Sequence, residues 1–239
     1  SEWQYSKIRR YNLDRSISIT SELREGGNAA AITAEITPWL DEQIASWPRG
    51  YRYELGGDAQ ESADNMGAVI AWLPLSAFII VLLLIIQFNS FRKMVMVTFT
   101  IPLGIIGVVI GLLVFNEPFG FMPFLGVISL AGIIINNAIV LIDRIEIEQT
   151  ELKRSVQDSV IAACLQRFRP IVLATFTTVF GLIPLYLSGG EMWEGMAVSI
   201  MVGLLFGTVI TLVFIPSLFS ILYKVNYKGY ELNPELKSI

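Results

Sequence analysis

Five long apolar runs, separated by short polar segments, fill the chain from residue 67 to residue 223. An α-helix rises 1.5 Å per residue, so about 20 apolar residues are needed to cross the hydrocarbon core of a bilayer. The pattern therefore predicts an α-helical integral membrane protein with five transmembrane helices. The predicted spans are Ala68–Ile86, Met94–Phe115, Phe121–Ile142, Ile171–Leu187 and Met196–Tyr223.

The first 66 residues have a different pattern, typical of a small soluble subdomain. Ile17 and Ile19 alternate with polar residues across 15–21, which predicts a half-buried strand. Apolar residues recur at helical spacing across 29–44, and alternation returns across 51–55. The expected fold is a strand–helix–strand (α+β) unit, too small to bury an adequate core alone. We expect it to pair with strands elsewhere in a longer protein.

Two further segments lie among the spans or after them. The stretch 148–165 is charged at its beginning and then places Val156, Val160 and Cys164 at helical spacing. This spacing predicts an amphipathic helix at the membrane surface. Residues 224–239 follow the last span and form a polar tail.

The second span carries a face of small residues. Pro102 and Gly104 are followed by Gly107 and Gly111 at the spacing of one helical turn. Small residues at this spacing allow helices to approach closely, so the pattern predicts tight packing within the bundle.

Basic residues predict the orientation of the spans. Three segments on one side of the membrane contain ten lysines and arginines, and the two opposite loops, 116–123 and 188–194, contain none. Because basic residues favour the cytoplasmic side, the N-terminal subdomain is expected outside and the tail inside. The ten residues are Arg92, Lys93, Arg144, Lys153, Arg154, Arg167, Arg169, Lys224, Lys228 and Lys237.

Composition excludes several classes of function. The chain has no histidine and a single cysteine, so imidazole catalysis, histidine–metal sites and an internal disulfide are ruled out. A net charge of −4 without a basic patch argues against nucleic-acid binding. Phosphate loops, metal-ligand clusters and catalytic carboxylate pairs are missing from the sequence. We therefore expect no enzyme activity and no cofactor.

Polar residues inside the third span are candidates for chemistry. Ser129, Asn136 and Asp143 are spaced by seven residues, nearly two helical turns, and share one face. Asn137 adds a second amide. Amides are costly in lipid, so this face is expected to contact protein or water. Two interpretations remain open: an ion path, or hydrogen bonds that hold neighbouring helices together.

A second candidate lies before the fourth span. Arg167 and Thr178 are eleven residues apart, about three turns, so they share a face. Pro170 suits the first turn of a helix. Arg167 could organise a proton site over a threonine column, or could set topology by reaching the membrane surface, the role expected of Arg169.

These motifs resemble those of a known family. The run Gly132–Asp143, then Arg167-Phe168-Arg169-Pro170 and Gly181–Leu185, look like the tenth and eleventh helices of resistance–nodulation–division (RND) permeases. The likeness covers the whole chain and is greatest to the multidrug-efflux branch. It implies the last porter-domain piece of such a pump and its helices eight to twelve.

The resemblance implies residue roles. In that family, protons cross at two aspartates on a fourth helix, which this chain lacks, aided by a lysine and an arginine. The arginine corresponds to Arg167, and the lysine position is occupied by Asn136, followed by the family's asparagine at Asn137. The usual threonine is replaced by alanine, with Thr175 adjacent and Thr178 one turn further.

The resemblance also implies the activity: proton-driven export of small, drug-like or toxic molecules across the bacterial inner membrane. Implied partners are membrane lipids, two further copies in a homotrimer, a periplasmic adaptor and an outer-membrane channel. The chain alone is expected to be inactive.

Two alternatives are kept. Protein-export membrane subunits of the same superfamily carry a similar motif ending in Asp-Arg-Ile, as Asp143-Arg144-Ile145 does here. A non-transporting sterol-sensing or scaffold protein would use the polar stripe only for packing.

Overall fold

A computed structural model describes residues 9–21, 29–227 and 230. The rest of the predicted subdomain and tail lies outside the described residues. Five helices are apolar enough to cross a membrane, with mean hydropathies of 1.9 to 2.9 in their most apolar windows, which confirms the predicted fold class. The described elements are β1 (Arg9–Tyr11), β2 (Asp14–Ser16), α1 (Ala29–Ile44), α2 (Asp58–Phe88), α3 (Phe91–Phe115), α4 (Phe121–Thr150), α5 (Val156–Ser188) and α6 (Glu191–Leu222).

Several helices extend beyond the apolar runs that predicted them. Helix α2 begins at Asp58, so the expected boundary between residues 66 and 67 falls inside a helix. Helix α4 continues past Ile142 to Thr150. The apolar run marks only the part of a helix that suits hydrocarbon, whereas an established helix also propagates through polar residues of good helix propensity.

Helix α6 lies at the centre of the bundle, in contact with α3, α4 and α5. Three glycines of α3 allow close contacts with its neighbours: Gly104 lies against α4, and Gly107 and Gly111 lie against α6. A Cβ atom would lie 2.2 Å from Ile134 Cδ1 at Gly104, 2.6 Å from Phe206 Cβ at Gly107 and 2.7 Å from Val202 Cβ at Gly111. The predicted small-residue face therefore packs within the bundle.

Helix α2 occupies the edge of the bundle. Most of its large apolar side chains are exposed, including Trp72 and Phe78, and only Leu84 and Phe88 near its end are buried in the core. Its outer surface is therefore available to lipid or to protein from outside this chain.

The subdomain combines a helix at 29–44 with a two-stranded sheet, as its predicted α+β class requires, but the strands lie at other positions than those predicted. Strand β2 ends at Ser16 and pairs with β1 in an antiparallel hairpin, while Ile17 and Ile19 are 89% and 95% exposed instead of half-buried. The segment 51–55 forms no strand. A strand requires a neighbour for its backbone hydrogen bonds, and the described residues supply none for these segments.

Side chains hold the segment 51–55 to α1 instead. The Tyr53 hydroxyl donates a 2.5 Å hydrogen bond to Asp41, and its ring meets Trp47 edge-on. The hydrogen bond to Asp41 raises the pKa of the Tyr53 phenol above its usual value. The contact is solvent-exposed, so it positions the segment without forming a core.

The separate amphipathic helix predicted at 148–165 is also wrong. Residues 148–150 belong to α4, residues 151–155 form a turn, and residues 156–165 are continuous with the fourth span in the single helix α5. Pro170 therefore lies inside α5, not in a first turn. Its exposed ring occupies the side of α5 away from the bundle, where a proline costs the helix one hydrogen bond without disturbing the packed face.

Candidate proton-relay site

The polar stripe of α4 lies on the open side of the bundle. Ser129, Gly132 and Asn136 are exposed, and a Cβ atom at Gly132 would meet nothing within 4 Å. The opposite side of the helix carries the buried residues, among them Ile134 and Ala138. The five-helix bundle therefore leaves this stripe uncovered.

Asn137 and Asp143 occupy positions between the open and the packed sides of α4. Both are half-buried, and neither side chain forms a hydrogen bond or ion pair with the residues that the structure describes. The stripe predicted from seven-residue spacing is thus a real feature of α4. It changes from exposed at Asn136 to partly covered at Asp143.

Arg167 lies on the packed side of α5, between the buried residues Ala163 and Ile171. Its Nε atom is buried and has no hydrogen-bond partner among the described residues. Arg169, two residues further, is exposed. The two arginines therefore differ in environment.

The threonines near the middle of α5 have different contacts. Thr175 is buried and shares a 2.7 Å hydrogen bond with Thr208 of α6. Thr178 donates to the Ala174 carbonyl of its own helix, at 3.0 Å. Thr208 was not identified from the sequence, because a threonine in the apolar α6 carries no signal of its partner. The described contacts do not join Asn136 to Arg167.

A fully buried charged residue, Glu148, was missed by sequence reasoning. Glu148, near the end of α4, is 0% exposed, and its carboxylate accepts hydrogen bonds from Arg144 Nη2 at 2.5 Å and Arg154 Nη1 at 2.6 Å. Gln166 Nε2 of α5 donates a third, at 3.0 Å. These four residues are called the Glu148 cluster below.

A spacing signal for Glu148 was present. The residues buried on α4 recur at intervals of three and four, and Glu148 falls on the next position of the series. From the sequence, Glu148 is placed at the charged beginning of a separate amphipathic helix, because the third span is taken to end at the last residue of its apolar run. The series is Leu130, Ile134, Ala138, Leu141, Ile145, Glu148.

A further ion pair joins α3 to α4 beside this cluster. Lys93 Nζ lies 2.5 Å from Glu146 Oε2, and the Lys93 side chain is only 13% exposed. In the part of the chain that the structure describes, no three histidine, cysteine, aspartate or glutamate residues are grouped as metal ligands.

Comparison with known proteins decides the family. The sequence profile of the AcrB/AcrD/AcrF family matches residues 2–223. The chain belongs to this family. Members of the AcrB/AcrD/AcrF family are RND efflux permeases, so the resemblance inferred from the motifs is confirmed at the level of the family. With five helices apolar enough to cross a membrane among the described residues, the chain is a multi-pass membrane segment of a member of this family.

Individual members of the family show how much of a permease the chain represents. It is 28% identical over 208 residues to multidrug resistance protein MdtC of Pectobacterium atrosepticum, covering 86% of this chain and 20% of that protein. It is 30% identical over 205 residues to swarming motility protein SwrC of Bacillus subtilis, covering 84% and 19%. The chain thus spans about a fifth of the length of these relatives.

Solved structures agree on the fold. A heavy metal efflux pump superimposes with a TM-score of 0.61 and 23% sequence identity, over 79% of this chain and 20% of that pump. A second crystal form of a heavy metal efflux pump gives a TM-score of 0.56. At this identity the likeness supports the arrangement of helices alone.

Proposed function

We propose that the complete protein exports small, drug-like or toxic molecules by proton antiport, and that Arg167 and Asn136 belong to its proton site. The observation that carries the proposal concerns Arg167: its Nε is buried without a hydrogen-bond partner and, unlike Arg144, which pairs with Glu148, it has no carboxylate partner among the described residues. Further members of the site, by resemblance, are Asn137, Asp143, Thr175 and Thr178.

The argument for Arg167 is electrostatic. Its guanidinium stays protonated at physiological pH, and a buried charge is costly unless it is paired. The described residues offer Arg167 no carboxylate partner. A carboxylate from a part of the permease outside this chain satisfies that requirement, and the family's acidic pair on a fourth helix has the right chemistry.

Asn136 also requires a polar partner from outside this chain. An exposed amide within a membrane span is expensive in lipid, so the open face of α4 is expected to meet polar protein or water. An asparagine can donate to a carboxylate without adding a charge of its own. We therefore place the acidic helix of the complete protein against the face of α4 that carries Asn136.

The remaining assignments rest on charge and on the family. The asymmetry of lysine and arginine supports a periplasmic N-terminal subdomain and a cytoplasmic tail. Family membership supports a homotrimer with a periplasmic adaptor and an outer-membrane channel. We further propose that this chain does not transport alone, because the acidic partner lies outside it.

Family membership favours efflux over protein export and over a non-transporting scaffold. The motif Asp143-Arg144-Ile145 suggested the export subunits, but Arg144 has a different explanation here. It forms an i,i+4 ion pair with the buried Glu148. The motif therefore needs no role in moving a polypeptide.

The test compares neighbouring arginines in the complete protein. Arg167→Ala is expected to abolish efflux at matched membrane levels, whereas Arg169→Ala, which removes the same charge from an exposed position, should leave most efflux intact. Asn136→Leu should also abolish efflux, while Asn136→Lys restores the usual family residue and should be tolerated. Efflux close to the parent in both Arg167→Ala and Asn136→Leu would refute the assignment of the proton site.

A further inference from the structure

Glu148 is a charged group enclosed where α4 leaves the membrane. Its Oε1 accepts hydrogen bonds from Arg144 and Gln166, and its Oε2 accepts one from Arg154. The two arginine side chains are themselves only 25% and 21% exposed. Three hydrogen-bond donors for the buried carboxylate are therefore supplied from within this chain.

Stability alone does not explain such a cluster. Buried ion pairs are often no more stabilising than apolar residues of similar volume, and their best-attested use is to fix one register between elements. An apolar residue at position 148 would continue the buried series of α4. The cluster instead ties the helix to specific donors at specific distances.

The donors come from three different segments. Arg144 is on α4, Arg154 is in the turn 151–155, and Gln166 is on α5. The turn is also joined to α4 by the backbone, because the Arg154 amide donates to the Glu148 carbonyl at 3.2 Å. A slide of α5 by a single residue moves Gln166 by about 1.5 Å, enough to break its hydrogen bond to Glu148.

Gln166 is followed directly by Arg167, and Asn136 lies on the same helix as Glu148, about 18 Å away at 1.5 Å per residue. We propose that Glu148 is a positioning residue: its cluster locks α4 and α5 in axial register and so holds Arg167 at a fixed level relative to Asn136. This rests on the proposed function, since it is the proton site that needs the register. Catalytic groups tolerate displacements of only about 0.5 Å to 1 Å before activity falls.

The experiment uses the complete protein in membranes, with two measurements. The first is the rate of tryptic cleavage at Lys153 and Arg154, measured in vesicles opened to the protease on both faces. The second is the dependence of efflux rate on substrate concentration. Glu148→Gln keeps the size of the side chain and removes its charge, and Glu151→Gln removes a charge from an exposed position one turn further.

Glu148→Gln is expected to speed cleavage of the turn by about tenfold or more, because two guanidiniums lose their counter-charge. Maximal efflux should fall by a similar factor while the KM for substrate stays unchanged, since the proposal assigns the cluster to the register of the proton site and not to substrate binding. Glu151→Gln should match the parent in both measurements. Arg154→Lys, which keeps the charge but not the fork of donors, should show intermediate changes in both.

Two results would overturn the proposal. Unchanged cleavage in Glu148→Gln would show that the cluster does not hold the turn. Faster cleavage with parental efflux would show that it holds the turn without positioning the site. Where Glu148→Gln does not reach the membrane, Arg154→Lys decides by the same criteria. Failure of the proposed function is seen separately, as efflux that survives Arg167→Ala, and it removes the positioning role whatever the cleavage rates.

Discussion

Replacing Gly107 of α3 by alanine tests whether the central packing is as tight as the structure indicates. The new Cβ would lie 2.6 Å from Phe206 Cβ and 3.0 Å from Phe206 Cδ1. A Cβ is attached to the backbone and does not move away by a change of rotamer. Because carbon atoms in contact are normally about 3.5–4.0 Å apart, α3 and α6 must separate locally by roughly 1 Å.

The size of the effect follows from two opposing terms. Overpacking of a close-packed interior costs about 1–3 kcal/mol. Alanine in a helix recovers up to about 1 kcal/mol relative to glycine. Gly132→Ala on α4 gains the helix propensity of alanine without an overpacking cost, because its Cβ meets nothing within 4 Å. The difference between the two variants therefore isolates the packing cost, about 1–3 kcal/mol.

The measurement is thermal unfolding of this 239-residue chain in detergent, in which the face of α4 that carries Gly132 stays uncovered, with both variants at matched concentration. Gly107→Ala should unfold several degrees below Gly132→Ala, at roughly 2–4 °C per kcal/mol. Gly111→Ala, whose Cβ would lie 2.7 Å from Val202 Cβ, should behave like Gly107→Ala. Equal unfolding temperatures for Gly107→Ala and Gly132→Ala would refute the close approach of α3 to α6.

Three further predictions concern the pair Thr175–Thr208, the orientation of the chain and its activity. Thr175→Val and Thr208→Val should each cost about 0.5–1.7 kcal/mol of unfolding free energy, and the double variant should cost clearly less than their sum; strict additivity would argue against the hydrogen bond. An impermeant thiol reagent applied from outside should label Glu117→Cys and leave Cys164 unmodified, and the opposite result would reverse the topology. Proteoliposomes that contain only this chain should show no substrate-dependent proton flux, whereas coupled flux would place the complete proton site within it.

The transmembrane fold was predictable because its cause is local. A run of apolar residues long enough for the bilayer leaves few alternatives to a helix, since each backbone group must find its partner within the span. All five spans were found for this reason. The limits of the helices were not predicted. Polar ends such as 58–65 and 143–150 are too charged to count as part of an apolar run, although they continue the helix.

The subdomain was predicted poorly because its determinants are non-local. Alternation across 15–21 and 51–55 suggests a strand, but a strand exists only with a partner. The described chain supplies only the hairpin of β1 and β2. The alternating pattern therefore predicted more strand at 15–21 and 51–55 than the structure contains, because strand formation there depends on a pairing partner.

The candidate site falls between these cases. The face shared by Ser129 and Asn136 follows from helical geometry and was predicted. The pairing of Thr175 with Thr208 depends on how α5 and α6 pack, so no single segment contains the information, whereas the burial of Glu148 continues the spacing of the buried residues of α4. The four donors and acceptors of the Glu148 cluster come from residues 144 to 166 and converge only in the folded hairpin.

Buried charge in this chain has two distinct arrangements, and the difference is informative. Around Glu148, the carboxylate meets two arginines within the chain, although Arg144 Nε has no hydrogen-bond partner among the described residues. Arg167 is half-buried on a packed helix face, its Nε is buried, and the described residues include no carboxylate partner for it. A membrane protein tolerates such an incomplete site where another segment completes it. The pairing at Glu148 therefore marks a structural charge, and the missing pair at Arg167 marks the surface where the rest of the permease is expected to bind.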